Sequence, residues 1–350
     1  MGYGIFLFLT LASSSATPLP TLSAPLFLSS SMPLLKKISQ NKKVTKPVIY
    51  GVHGHSLTDE EKYFFSKNGC LGFIIFARNI ESKSQLKKLT DSMREVMNGE
   101  ILILIDQEGG RVARLKPPHW NNYPTGQYFS DLYQINPETA KEALFENFQA
   151  IATDLVEMGI NVDCAPLLDI LTKKTHQVIG DRAYGENVNQ VSDLGRKVCE
   201  GLLSKGVYPV VKHIPGHGRG TSDSHLELPI VDASLEELRA TDFTPFQNLR
   251  DQKFAMTAHI LYRSIDKNFC ATVSPKAINL IRNEIGFKNI LMSDDVSMKA
   301  LKGSFFEKSE AILKAGCDLV LHCNGDMAEM AEINSALPNL NDEFFERLTA

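Results

Sequence analysis

The chain has 350 residues, enough for one large α/β barrel or two ordinary domains, and its 43% hydrophobic and 22% charged residues are those of a globular protein. The formal net charge of -4 is spread along the sequence and excludes a strongly basic nucleic-acid-binding surface. The six cysteines show neither a C-x-x-C pair nor zinc-ligand spacing, so they read as small buried core residues in a reducing compartment.

Residues 5–12 form an apolar run followed by a Ser/Thr/Pro-rich stretch over 13–31. The run is too short to span a bilayer. It has the character of a signal-peptide core, with Ser14-Ser-Ala16 as a small-residue cleavage site, but no Lys or Arg precedes it. Met32 as the true initiator is the other reading. Residues 1–46 are expected to be a disordered or processed leader, and residues 47–350 the folded part.

From Lys46 onward, short apolar runs alternate with longer helix-period segments. The runs cover 48–52, 72–76, 101–105, 162–166, 208–213, 254–259, 289–294 and 318–323. Most are near-continuously apolar, as strands buried on both faces are. Helices are expected from Thr58, where Glu61 completes a capping box, and over 82–97, 137–158, 187–205, 234–250, 274–285 and 304–315. Eight strand-then-helix alternations predict a single-domain (β/α)8 TIM-type barrel. The rival, a doubly wound open sheet, calls for a glycine-rich turn after its first strand, and Gly51-Val-His-Gly54 does not match a dinucleotide fingerprint.

Barrel active sites sit at the C-terminal ends of the strands, and polar residues collect there. The third run leads into Asp106-Gln-Glu-Gly-Gly-Arg111, the fourth holds Asp163 with Asp169 nearby, the fifth ends in Lys212-His213, the sixth in His259, the seventh in Asp294-Asp295 and the eighth in His322-Cys-Asn324. The densest segment, Lys212 to His225, holds three histidines and three glycines in fourteen residues, a loop able to fold over a site. Asp223 can orient the His225 imidazole, which donates and accepts protons near neutrality. His213, His217, His225 and Asp223 are also conceivable metal ligands, but Lys212 places a cation beside them and their spacing matches no compact motif.

Asp106 and Arg114 suit bidentate hydrogen bonds to sugar hydroxyls, whereas Glu108 and Arg111 read equally well as a pair holding their turn. Arg182, in Asp181-Arg-Ala-Tyr-Gly185, adds another guanidinium. Asp294 is placed to attack an anomeric carbon. Neighbours on a strand point to opposite sides, so only one of Asp294 and Asp295 can face the centre of the site, and Asp295 also reads as a helix cap.

Asp106-Gln-Glu-Gly-Gly-Arg111, Lys212-His-Ile-Pro-Gly-His-Gly218 with Asp223-Ser-His225, and Ser293-Asp-Asp-Val-Ser-Met298 occur in this order. Together they closely resemble the bacterial β-N-acetylhexosaminidases of glycoside hydrolase family 3, from about Lys46 to the C-terminus. The resemblance implies a barrel that removes terminal β-linked N-acetylglucosamine (GlcNAc) with retention. In the peptidoglycan-recycling members the substrate is GlcNAc linked to anhydro-N-acetylmuramic acid. It further implies Asp294 as nucleophile, His225 as acid/base with Asp223 as its partner, and Asp106, Arg114, Arg182, Lys212 and His213 on the sugar. A histidine in place of a second catalytic carboxylate separates this branch from the larger β-glucosidases of the family. Ile214 stands where the family commonly has Phe, and the segment before Lys46 is unusual for enzymes that are typically cytoplasmic.

The expected protein is therefore a cytoplasmic monomer acting on a small carbohydrate, without cofactor, metal, nucleic acid or membrane. Export is the alternative if residues 1–16 act as a signal peptide. The rival functions are a β-N-acetylglucosaminide phosphorylase, a β-glucosidase, a metal-dependent hydrolase and a non-catalytic sugar-binding protein.

Overall fold

A computed structural model describes residues 33–224 and 226–350; the N-terminal apolar run, the Ser/Thr/Pro-rich stretch and His225 lie outside the described residues. Among the described residues ten strands form: β1 Val48–Gly51, β2 Gly72–Ile75, β3 Leu102–Ile105, β4 Val162–Asp163, β5 Tyr208–Ile214, β6 Ile230–Val231, β7 Phe254–Thr257, β8 Leu261–Tyr262, β9 Ile290–Asp295 and β10 Leu319–His322. Eight of them close in the order β1-β2-β3-β4-β5-β7-β9-β10, with β10 returning to β1, and every pairing is parallel. The short β6 and β8 pair apart from this ring. The single-domain (β/α)8 barrel read from the sequence is the fold that forms.

The apolar runs close because neither of their faces can meet water. Leu102, Ile103, Leu104 and Ile105 are all fully buried, as are Val48, Ile49 and Tyr50. One set of alternate residues fills the barrel and the other meets the helices, and closure removes the unpaired edges an open sheet would leave. Capping holds the helices in place. Thr58 and Ser304 each form a reciprocal capping box, with Glu61 and Glu307 respectively. Ser82, Asn136, Asn187 and Ser274 cap four more helices.

Three expectations need correction. The expected leader boundary at residue 46 falls inside folded chain: Leu34–Gln40 is a helix that buries Leu35 and Ile38. The helix expected over 234–250 forms two short pieces, Leu235–Ala240 and Thr244–Asn248, because Pro245 has no N–H for the Thr241 carbonyl. The helix expected over 274–285 is α-helical only over Pro275–Leu280 and widens into a π-turn at Ile281–Ile285. Helices Gly126–Ile135, Met327–Ala336 and Asp342–Thr349 were not expected. Among the described residues, no helix is long and apolar enough to cross a membrane.

Two register shifts fall at residues named from the sequence. Between Lys212 and Ile214, β5 carries one residue more than β7, and that residue is His213. Between Met292 and Asp295, β9 carries an extra residue against β10, which puts the irregularity at Ser293 and Asp294. Such bulges re-aim side chains out of the strict two-residue alternation.

Candidate active site

Where β3 ends, the chain turns back sharply. Gly109 and Gly110 have φ of 99° and 55°, and a Cβ on Gly109 would lie 2.1 Å from the Pro124 carbonyl oxygen. The buried Gln107 amide pins the returning strand: its Oε1 accepts from the Arg114 and Leu115 backbone N–H groups at 2.8 and 2.9 Å, and its Nε2 donates to the Leu115 carbonyl. Its own N–H donates to Asp163 at 2.9 Å. This clamp brings Arg114 over Asp106.

The result is a row of alternating charges. Arg114 Nη2 lies 3.0 Å from Asp106 Oδ2, and Lys212 Nζ lies 2.9 Å from Asp106 Oδ1 and 2.6 Å from Glu108 Oε1. Arg182 then donates twice to Glu108, at 2.7 Å from both Nε and Nη2. Burial would raise the Asp106 carboxyl, but Lys212 and Arg114 outweigh it and hold the group well below the usual carboxylate range. Burial likewise opposes ionisation of Glu108, which Arg182 and Lys212 bring down to about 2. Lys212 is 2% exposed; burial disfavours its charge, yet Asp106 and Glu108 keep it protonated. Asp106, Glu108, Lys212 and Arg182 are therefore ionised at neutral pH, giving fixed acceptors and fixed donors side by side.

After β5 the chain is held by Asp169. Its Oδ2 meets His213 Nδ1 at 2.8 Å, and its Oδ1 accepts from the His213 and His217 backbone N–H groups. Burial and the neighbouring His213 push the His217 imidazole down to about 4, so it is neutral at physiological pH. Its Nε2 lies 3.4 Å from Ser224 Oγ. His259, lowered by burial, is held between Thr272 Oγ1 and the Asp295 carbonyl.

Both carboxylates ending β9 line the cavity, where the strand alternation alone would let only one face it; the extra residue at Ser293 and Asp294 breaks that alternation, and the two differ in their bonds. Asp295 is spent on its surroundings, accepting from the Ser297 and Cys323 N–H groups at 3.0 and 3.1 Å and from the Ser297 hydroxyl. Asp294 Oδ1 accepts from the Asp295 N–H at 2.8 Å, and the side chain borders a cavity of about 360 Å³ at the C-terminal mouth of the barrel. Asp106, Arg114, Arg182, Lys212 and His213 line the same cavity. Asp223 is not among its lining residues, although Ser224 is, and the Asp223 carbonyl closes a tight turn by accepting from Leu226 and Glu227.

Arg111, left undecided from the sequence, bonds to Asp181 and to the Gln177 and Val178 carbonyls, which fastens the loop that carries Arg182. Glu108 faces inward as the shared partner of Arg182 and Lys212, a role the sequence left open. Asp169 and Gln107 were not singled out as site residues, because their contribution is to hold other residues. Arg78 also lines the cavity and follows β2 as the other site residues follow their strands, but no motif marks it. Of the residues weighed as metal ligands, His225 is outside the description. Among the described residues, no group of three or more His, Cys, Asp or Glu side chains is disposed to hold a metal ion.

A small cavity at the C-terminal mouth of a closed parallel barrel, walled by fixed carboxylates and guanidinium groups beside one more carboxylate, defines a carbohydrate-processing barrel enzyme. The chain belongs to glycosyl hydrolase family 3, whose N-terminal domain matches residues 34–347. It is 34% identical over 282 residues to a β-hexosaminidase of Nitrosomonas eutropha, covering 79% of this chain and 80% of that one. A β-hexosaminidase of Alkalilimnicola ehrlichii is 35% identical over 283 residues, with 79% and 80% covered. Among solved structures, NagZ from Neisseria gonorrhoeae in complex with N-trifluoroacetyl-D-glucosamine superimposes with a TM-score of 0.80 at 30% identity, over 87% of this chain and 89% of that one. The protein is a glycoside hydrolase.

Proposed function

We propose that this β-N-acetylhexosaminidase is a retaining exo-enzyme that releases terminal β-linked GlcNAc, with GlcNAc-anhydro-N-acetylmuramic acid from peptidoglycan recycling as its substrate. The observation that carries the reading is the meeting in one cavity of Asp294 with Arg114, Asp106, Lys212 and Arg182, which Glu108 ties together from behind the lining. The names of the relatives and the amino-sugar analogue bound in the Neisseria NagZ structure supply the sugar.

In this reading Asp106, Arg114, Arg182, Lys212 and His213 hydrogen-bond the hydroxyls of the terminal sugar. Hydroxyl bonds to charged groups are worth about 1.5–3 kcal/mol each, and the groups are already oriented by one another, so binding requires little rearrangement. Asp294 attacks the anomeric carbon and displaces the leaving sugar, whose oxygen receives a proton from His225, and a glycosyl ester forms. His225 then takes a proton from water as that water cleaves the ester, restoring both residues. Asp223 orients His225. The described histidines around the cavity support assigning the proton to His225: His217 is protonated only below about 4, His213 is tied to Asp169, and His259 is locked between Thr272 and a carbonyl.

The test is hydrolysis of p-nitrophenyl β-N-acetylglucosaminide against the β-glucoside, with phosphate and EDTA as side arms. Cleavage of the acetamido sugar alone, with the β-anomer released and no dependence on phosphate or chelator, is expected. Asp294→Ala lowers turnover by roughly 10³-fold or more. A preference for the glucoside, a phosphorylated product, or near-normal turnover in Asp294→Ala contradicts the assignment.

A further inference from the structure

The cations that line the cavity are not all neutralised. Arg111 has Asp181, Arg114 has Asp106, Arg182 has Glu108, and Lys212 has both Asp106 and Glu108. Arg78 differs. Its Nε donates to the Val52 carbonyl at 3.0 Å and its Nη2 to the Cys323 carbonyl, and among the described residues it has no ion-pair partner and its Nη1 no acceptor. The nearest acids are committed elsewhere: Asp295 to the Ser297 and Cys323 N–H groups, and Glu61 to those of His53 and Thr58.

Two backbone carbonyls fix the guanidinium without cancelling its charge, and they aim it from the β1, β2 and β10 side of the barrel mouth. The Phe76 ring joins it to the sugar-binding side. Arg78 sits 5.0 Å from the ring centroid and Arg114 5.3 Å, so the two guanidinium groups are no further apart than the sum of those distances.

We propose that Arg78 forms a subsite for a carboxylate carried by the leaving sugar, and so selects acidic over neutral aglycones. This rests on the exo-glycosidase reading above and adds the residue that recognises the second sugar. The chemistry is that of a positioned guanidinium with an unused N–H edge, which suits a carboxylate better than a hydroxyl.

The experiment compares GlcNAc-anhydro-N-acetylmuramic acid with the same disaccharide after reduction of its lactyl carboxyl to an alcohol. The wild-type kcat/KM is expected to favour the acid by roughly tenfold, the scale of one charge-assisted hydrogen bond. In Arg78→Met the ratio falls to near one, and in Arg78→Lys it is partly retained. A thermal melt of each variant identifies loss of folding. A wild-type ratio near one, or an undiminished ratio in a folded Arg78→Met protein, overturns the proposal while leaving the glycosidase reading intact. Failure to cleave any β-N-acetylglucosaminide removes both.

Discussion

Replacing Lys212 with methionine tests whether the alternating charges behave as one buried unit. Methionine keeps much of the stem's volume and removes only the ammonium that stands 2.9 Å from Asp106 and 2.6 Å from Glu108. Glu108 sits at about 2 against an ordinary 4.5, a displacement equivalent to about 3 kcal/mol of stability at neutral pH. Arg182 supplies the larger share and Lys212 the next, so the loss through Glu108 alone is about 1 kcal/mol. Asp106 depends on Lys212 first and Arg114 second, so its loss is at least as large. Together with the two unshielded carboxylates now facing one another, the expected destabilisation is about 3 kcal/mol, the lower end for a broken buried pair because both arginines remain. Urea unfolding at pH 7 measures it. Because folding depresses the Glu108 pKa, its stabilisation is present above 4.5 and disappears as pH falls through about 2. In the variant the loss begins at the same pH but is smaller and complete at a higher pH, because the folded pKa is less depressed. Adding Glu108→Gln recovers part of the stability by removing one of the two like charges. A change below about 1 kcal/mol, with the denaturant slope unaltered, would refute the coupling.

The two carboxylates on β9 separate by readout: Asp294→Asn abolishes turnover, whereas Asp295→Asn lowers the melting temperature by weakening the bonds to Ser297 and Cys323, about 1–3 kcal/mol. The reverse pattern, seen by calorimetry and a glycoside assay, counts against the assignment. His217 predicts an acid sensitivity. Its folded pKa of about 4 lies below the ordinary 6.5, so stability present above 6.5 is lost as pH falls through 4, by up to about 3 kcal/mol. His217→Asn should flatten the melting-temperature profile between those pH values, and an unchanged profile speaks against a buried neutral imidazole. Gln107→Leu strands the Arg114 and Leu115 N–H groups and should cost about 3 kcal/mol while raising KM more than it lowers kcat. Equal effects on KM and kcat would show that the clamp does more than place Arg114.

The barrel and most of its charged residues were legible because both depend on local pattern. Continuous apolar runs mark strands buried on two faces, and polar residues at their C-terminal ends mark the mouth. The pairing inside the charge row was not legible. Glu108 reads as a turn residue until the chain folds, because its partners Arg182 and Lys212 lie 74 and 104 positions further along the chain. Asp169 was legible only as a polar residue near the fourth strand end, because its partners His213 and His217 lie far along the chain, and Gln107 escaped because a side chain that spends its hydrogen bonds on the backbone leaves no spacing to read. The split of the 234–250 helix was visible in Pro245, but the amphipathic pattern on either side outweighed it. The folded start at Leu34–Gln40 was hidden because two buried residues, Leu35 and Ile38, carry a helix that packs only once the C-terminal chain is in place.

The described residues also divide the site by rigidity. The residues proposed to act on the sugar sit on strand ends or on loops clamped by several bonds, and two of them, His213 and Asp294, stand at bulges where the strand can aim a side chain off its alternation. The segment leading to His225 is tethered differently. Arg219 anchors it to Asp242, Glu237 and Thr241, outside the charge row and outside the barrel wall. A nucleophile must keep one distance from the anomeric carbon, so a strand end suits it. Upstream of Arg219 the same loop is held at Gly216 by the Tyr262 hydroxyl, at His217 by Asp169 and at Gly218 by the Thr175 hydroxyl, so its first half is as firmly fixed as the strand ends.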